Sequence, residues 1–259
     1  MTRPLQQFID DLESQRRRLV VVNGTEVSAK VDDIVDYFER LDLETSSVSA
    51  AGLPDAFLVL TDGDTYRGGV GIETLHEYLF DSFGGGSLEA LAEESRQRPV
   101  VEGFLARLDQ NVYSLSGERR LPLICISQLL ESRACRRGDG CLHAGVQNLT
   151  TFERAPATWT RYNKIADTGV ETTVYGRPDW NPDDWGAVTA YGDTTGELVG
   201  EYWFVVYSGP ERHDDGALLA RETDAGRYTG FWTFDSDTVD DLVGTLVTDY
   251  QPSLTRLDE

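Results

Sequence analysis

The sequence predicts an α/β protein: a small N-terminal α/β unit, a helical connector, and a C-terminal α/β domain whose mixed central sheet is flanked by helices. Three observations support this. Apolar residues alternate between helical spacing and short unbroken runs over the first 80 residues, the pattern of helices laid on buried strands. The segment Phe83-Gly84-Gly85-Gly86-Ser87 then breaks the pattern, because clustered glycines favour neither regular state. Beyond it strand-like runs dominate. The expected divisions are 1–86, 87–112 and 113–251, and a chain of 259 residues is long enough for one large domain or two small ones.

Leu5, Phe8, Ile9 and Leu12 share one helical face within residues 4–17, and Leu19-Val20-Val21-Val22 reads as a buried strand turned by Asn23-Gly24. Val27, Val31, Ile34, Val35 and Phe38 mark a second helix. A strand from Ala56 to Leu60 and another from Tyr66 to Val70 form a hairpin around Asp62-Gly63, and a helical stripe follows from Ile72 through Leu75 and Leu79. In the connector, Leu88–Ser95 and a segment opened by Pro99 read as helices. Pro122 fits only the first turn of a helix, which then carries Leu123, Ile126, Leu130 and Ala134 inward and stops at Gly138.

Next come a strand at Leu142–Leu149, a helix at Pro156–Asp167, and strands at Glu171–Tyr175 and Ala187–Tyr191. Tyr202–Tyr207 is apolar on both alternating faces and belongs in the middle of the sheet. Ala217–Arg221 and Tyr228–Phe234 complete it. Asp235 and Ser236 are N-cap residues for a last helix, with Val239, Leu242, Val243, Leu246 and Tyr250 on its buried face.

Forty-five acids against 23 bases give a net charge of -22, and the acids are spread along the chain. At about 0.1 M salt the Debye length is about 10 Å, and at 1 M about 3 Å, so such a surface suits concentrated brine. The base content points the same way, with Lys30 and Lys164 as the only lysines. Nucleic acid is not expected as a partner: the short arginine clusters at residues 16–18, 119–120 and 136–137 lie in no helix-turn-helix pattern and have no interleaved aromatics. No apolar run approaches a spanning helix and no secretory pattern opens the chain. A cytoplasmic protein without membrane contact is the expectation.

Cofactor and metal motifs are weak. Cys125, Cys135, Cys141 and His143 supply zinc-type ligands at gaps of nine, five and one residues, unlike the close pairs of structural zinc sites. Asp62, Asp64 and Glu73 fall on calcium-loop positions, yet Arg67 stands where that loop needs glycine. Gly69, Gly71 and Thr74 lack the third glycine of a dinucleotide fingerprint. No cofactor and no metal are therefore expected. Nor is there a P-loop, a zincin motif or a nucleophile elbow, which leaves only carboxylates such as Asp179, Glu222 and Asp235 for an acid-catalysed enzyme.

All five tryptophans follow residue 158, and aromatics crowd the strands at 202–207 and 228–234. Such strands fill a core or line a ligand pocket. At these residues the chain resembles the DICT domain, a sensory module associated with diguanylate cyclases and two-component systems, in its haloarchaeal stand-alone form. The resemblance rests on Ser127, Glu131 and Ala134; on Gly140, Leu142, His143, Gly145 and Gln147; on Val174-Tyr175-Gly176 with Pro178-Asp179-Trp180; and on Trp203-Phe204 with Gly230 to Asp235. Val146 departs from it, standing where the family has an aromatic residue. The resemblance implies a non-enzymatic sensory protein that detects a signal and passes it to a partner protein, and it brings no catalytic residues.

The expected ligand site is a pocket for an apolar or aromatic small molecule, walled by Tyr175, Trp180, Trp203 and Trp232, with His143 and Gln147 giving directional hydrogen bonds. The alternatives are that His143 and Gln147 only staple strand to helix, that the fold carries an acid-catalysed enzyme, or that it is an interaction module with a filled core.

Overall fold

The computed structural model describes residues 5–11, 17–24, 28–39, 43–52, 56–63, 65–81, 101, 103–104, 107, 112–116, 121–224 and 227–258. The expected glycine joint at 83–86 and the helix at 88–95 lie outside these residues, as does most of the one opened by Pro99. The protein is of the α/β class, with two mixed sheets.

The smaller sheet has the order β2-β1-β3-β4. Its centre is β1 (Arg17–Val22), which runs parallel to β2 (Glu44–Val48) and antiparallel to β3 (Phe57–Asp62), itself paired with β4 (Thr65–Gly71). Leu19, Val21, Leu58 and Leu60 are buried with Ile34 and Phe38 of α2 (Ser28–Glu39) and with Ile72 and Leu75 of α3 (Ile72–His76). Asn23 holds the turn after β1 at φ 54°, and its amide exchanges hydrogen bonds with the backbone of Ala50 at 3.1 and 2.8 Å. The sequence does not announce β2: Glu-Thr-Ser-Ser-Val has no apolar alternation because it is an exposed edge strand. Asp62 pairs with Arg67 across the β3–β4 hairpin at 2.7 Å, so the first carboxylate of the would-be calcium loop is already neutralised by an arginine of the same loop.

The larger sheet has the order β12-β8-β7-β6-β9-β10-β11-β5. Here β6 (Cys141–Asn148), β7 (Glu171–Arg177) and β8 (Thr189–Gly192) run parallel. Antiparallel pairings join β6 to β9 (Tyr202–Ser208), β9 to β10 (Gly216–Asp224), β10 to β11 (Arg227–Thr233) and β11 to β5 (Val112–Ser116). As expected, β9 lies inside the sheet and is covered on both faces. The short edge strand β12 (Thr255–Arg256) closes the other side.

Two layers of helix cover this sheet. On one face, α4 (Leu121–Arg137), α5 (Thr150–Arg154) and α6 (Pro156–Asp167) bury Leu123, Ile126, Leu130, Phe152 and Ile165 against Leu142, Ala144, Val205 and Leu218. Gly138, at φ 66°, ends α4, and Pro156 occupies the first turn of α6. On the other face, α7 (Ser236–Thr245) buries Val239 and Leu242 on Tyr175, Phe204 and Phe231, and Asp235 caps it by accepting from Thr238 N at 2.9 Å.

The first helix, α1 (Leu5–Asp11), belongs to this second layer although the sequence places it with the N-terminal unit. Its Leu5, Phe8 and Ile9 join the core beneath α7, and Arg221 Nη1 donates to Gln6 Oε1 at 2.8 Å. An amphipathic stripe states that a helix needs an apolar surface without stating which.

Between β8 and β9 the chain is organised by Asp193, fully buried after the strand. One carboxylate oxygen accepts from Thr195 N, Thr195 Oγ1 and Gly196 N at 3.0, 2.9 and 2.7 Å, and the other from Leu198 N and Val199 N at 2.9 and 3.0 Å. Burial alone would raise its pKa; the donors, led by Val199, Leu198 and Gly196, outweigh that and leave it below the ordinary aspartate value.

Candidate functional site

A cleft opens at the carboxyl end of β6. There the chain leaves β6 through α5 and α6 to reach β7 on one side, while β9 flanks it on the other. In open α/β sheets that change of direction leaves a crevice. The cavity measures about 390 Å³, within the range of about 300–1,000 Å³ usual for small-molecule pockets. Ile124, Ser127, Gln128 and Glu131 of α4 form one side, Thr151, Phe152, Thr158, Arg161 and Tyr162 of α5 and α6 another, and Val146, Gln147, Asn148, Trp203 and Tyr228 the sheet floor.

The polar groups of the cleft are held in place. Arg161 Nη1 donates to Glu131 Oε2 at 2.9 Å and Tyr162 Oη donates to Glu131 Oε1 at 2.9 Å, with the side chain of Glu131 only 5% exposed and that of Arg161 14%. Burial pushes the Glu131 carboxyl above its ordinary value despite the Arg161 charge and the two hydrogen bonds. The Tyr162 phenol is driven up in turn by burial and by the neighbouring carboxylate. On the floor, Gln147 Nε2 donates to Glu222 Oε2 at 2.6 Å. The Ser127 hydroxyl is turned back to its own helix, donating to Ile124 O at 2.9 Å.

Of the six residues expected to form the pocket, the structure brings Gln147 and Trp203 together here. Strict alternation along β6 would put His143, Gly145 and Gln147 on one face. The pairing of β6 with β7 slips between Gly145 and Asn148, and Val146 and Gln147 both reach the cleft, the re-aiming that a bulge produces.

His143 stays on the opposite face with Tyr175, beneath α7. His143 Nδ1 lies 2.8 Å from Tyr175 Oη, which accepts from Gln251 Nε2 at 2.7 Å. With that acceptance made, the phenol O–H donates to Nδ1 and the imidazole carries its proton on Nε2. Burial holds the His143 pKa down to about 4 and pushes up the Tyr175 phenol. His143 thus ties β6 through Tyr175 of β7 to Gln251 in the turn after α7.

Trp232 is buried at 1% exposure within the core of the cleft-side layer and is not among the lining residues. Trp180 packs behind the cleft, in an aromatic cluster with Trp159 and Trp185 at centroid distances of 5.5 and 5.9 Å and with Phe152 at 6.4 Å. Phe152 and Tyr162, 5.5 Å apart, are the members of that cluster which reach the cleft. These rings fill volume; they form no wall around His143.

Sequence reasoning missed Gln128, Arg161 and Tyr162, and noted Glu131 only as part of the family resemblance. A signal was present. Ser127, Gln128 and Glu131 stand beside the buried Ile126, Leu129 and Leu130, and polar residues in a buried stripe require partners. Of the acids considered for catalysis, Asp179 caps α5 by accepting from Thr150 N and Oγ1, Asp235 caps α7, and Glu222 holds Gln147. Among the described residues no group of three or more His, Cys, Asp or Glu is placed to hold a metal ion, and no helix is long and apolar enough to cross a membrane.

No family model matches the chain, and no curated protein does. Among solved structures it is similar to TrmBL2, described as an archaeal chromatin protein with a novel mode of DNA binding, at TM-score 0.39 and 13% identity over 65% of this chain and 63% of that one. It is also similar to a polyphosphate kinase from Porphyromonas gingivalis, at TM-score 0.34 and 10% identity over 92% of this chain and 46% of that one. The chain thus spans less than two thirds of either, and likeness at this level assigns no function.

Proposed function

We propose that the protein is a sensory module of the DICT type, working in the cytoplasm of a salt-adapted cell, that binds a small molecule in the cleft at the end of β6 and signals through a partner protein. The observation that carries this is the combination of a cavity of about 390 Å³ with aromatic walls and a fixed polar network, Glu131 held by Arg161 and Tyr162. Pockets that select small molecules pair an apolar lining with a few oriented polar groups. The net charge of -22 supports the brine-adapted setting.

Binding without turnover is favoured because both oxygens of Glu131, the buried carboxylate of the cleft, are committed to protein donors. A second reading, an enzyme using Glu131 as an acid, draws on its raised pKa. Tryptophan emission separates the two when a panel of nucleotides, cyclic dinucleotides, flavins and retinoids is titrated into the protein in molar KCl. Sensing requires saturable quenching that is lost in Trp203→Leu, with each compound recovered unchanged. Product formation abolished by Glu131→Gln would establish the enzyme instead, and a panel without any effect on Trp203 would remove the ligand site.

A further inference from the structure

Within the cleft the two glutamines differ. Gln147 is tied to Glu222, whereas Gln128 makes no side-chain hydrogen bond to the described residues, and its Oε1 is buried without a partner. A buried amide oxygen left unpaired is destabilising, and such groups in native proteins call for an explanation. The terminal torsion of a glutamine is broad and nearly two-fold, so a small rotation presents the Gln128 carboxamide edge-on to the cleft that it lines. A carboxamide seen edge-on offers one N–H and one C=O side by side. Its complement is an N–H beside a C=O on the ligand.

The remaining surroundings narrow the ligand further. Trp203, Phe152 and Tyr228 offer ring surface, which favours a planar partner. Arg161 is the cation of the lining, and Glu131 neutralises it at 2.9 Å, so an anionic ligand finds no free charge there.

We propose that this cleft receives an uncharged planar nitrogen heterocycle bearing a lactam edge, which pairs with the Gln128 carboxamide while its ring lies against Trp203. The proposal rests on the sensing reading above and adds the chemical class of the signal. It excludes a retinoid, which would leave Gln128 unpaired, and a nucleotide, whose phosphates would find Arg161 already neutralised by Glu131.

The test uses lumichrome, an uncharged tricyclic heterocycle with such an edge, beside its doubly N-methylated derivative, retinol and benzoate, all titrated into the full chain in molar KCl. Lumichrome is expected to bind and quench Trp203. Methylation, which blocks the edge and leaves the ring, should weaken binding about tenfold or more. In Gln128→Met, checked for folding by thermal melting, lumichrome and its methylated form should bind alike. Equal affinity of the two for the unaltered protein overturns the lactam assignment, and so does tighter binding of retinol or benzoate; either leaves the cleft as a ligand site. If no probe affects Trp203, the lactam assignment falls, and the wider panel above decides the sensing reading separately.

Discussion

Replacing Arg161 by Met tests whether the Glu131 network is as buried as the geometry states. The substitution keeps most of the side-chain volume and removes the charge that faces Glu131 Oε2 at 2.9 Å. Breaking a buried pair by deleting one partner typically destabilises by about 3–5 kcal/mol; with Arg161 14% exposed, the lower end applies, about 3 kcal/mol at neutral pH.

The loss should depend on pH in a defined direction. Burial already raises the Glu131 pKa, and Arg161 opposes that, so the variant raises it further. A carboxyl whose folded pKa lies above its unfolded value of about 4.3 holds its proton more tightly in the fold; its contribution is intact below that value and is lost as pH rises through the folded pKa. The penalty of Arg161→Met should therefore shrink to about 1 kcal/mol near the unfolded pKa, where Glu131 is protonated in the fold and keeps a neutral hydrogen bond to Tyr162. Urea unfolding of both proteins in molar KCl, at neutral pH and at about pH 4.5, measures the difference. An equal penalty at both pH values, or a neutral-pH loss under about 0.5 kcal/mol as for an exposed pair, would refute the reasoning.

Three further outcomes follow from the same geometry. Asp193→Ala removes the acceptor of five hydrogen bonds and should destabilise by about 3 kcal/mol; because the Asp193 pKa is lowered in the fold, the penalty is full above about pH 4 and fades as pH falls through the folded pKa, which acid titration of unfolding free energy detects. Gly145→Ala places a methyl 2.1 Å from the Phe204 ring and should cost about 1–3 kcal/mol, a loss that denaturant melts should find reduced in a Phe204→Leu background. His143, with its pKa held near 4 by burial, should show imidazole NMR signals unchanged between about pH 5.5 and 8, and Tyr175→Phe should raise that pKa little while destabilising the fold by about 1 kcal/mol. Since the folded pKa lies below the unfolded one, His143 adds stability as pH rises from about 4 to 6.5.

Patterned elements were legible in the sequence, and the rest was hidden for identifiable reasons. Pro156, Gly138 and Asp235 mark helix ends because each supplies a backbone or capping property that a terminus needs. The apolar run of β9 gave its interior place in the sheet. Edge strands β2 and β12 carried no such mark, being short and exposed. For the site, His143 and Gln147 were expected in one pocket, and a slip of register between Gly145 and Asn148 accompanies their separation, with Gln147 in the cleft and His143 on the other face. A bulge is set by pairing with a neighbouring strand, which a local pattern does not contain. The tryptophans were conspicuous by composition, yet Trp232 fills the core and Trp180 packs behind Phe152. The quieter clue was polar Ser127, Gln128 and Glu131 along an otherwise buried helix face.

The most direct test of the account is the ¹⁵N spectrum of the backbone amides and of the five tryptophan indole N–H groups during titration with lumichrome in molar KCl. Occupation of the cleft should shift Trp203 first and furthest, with His143 on the other face of the sheet unmoved. Shifts concentrated at His143 and Tyr175 with Trp203 unchanged would contradict it, as would a spectrum that no compound perturbs.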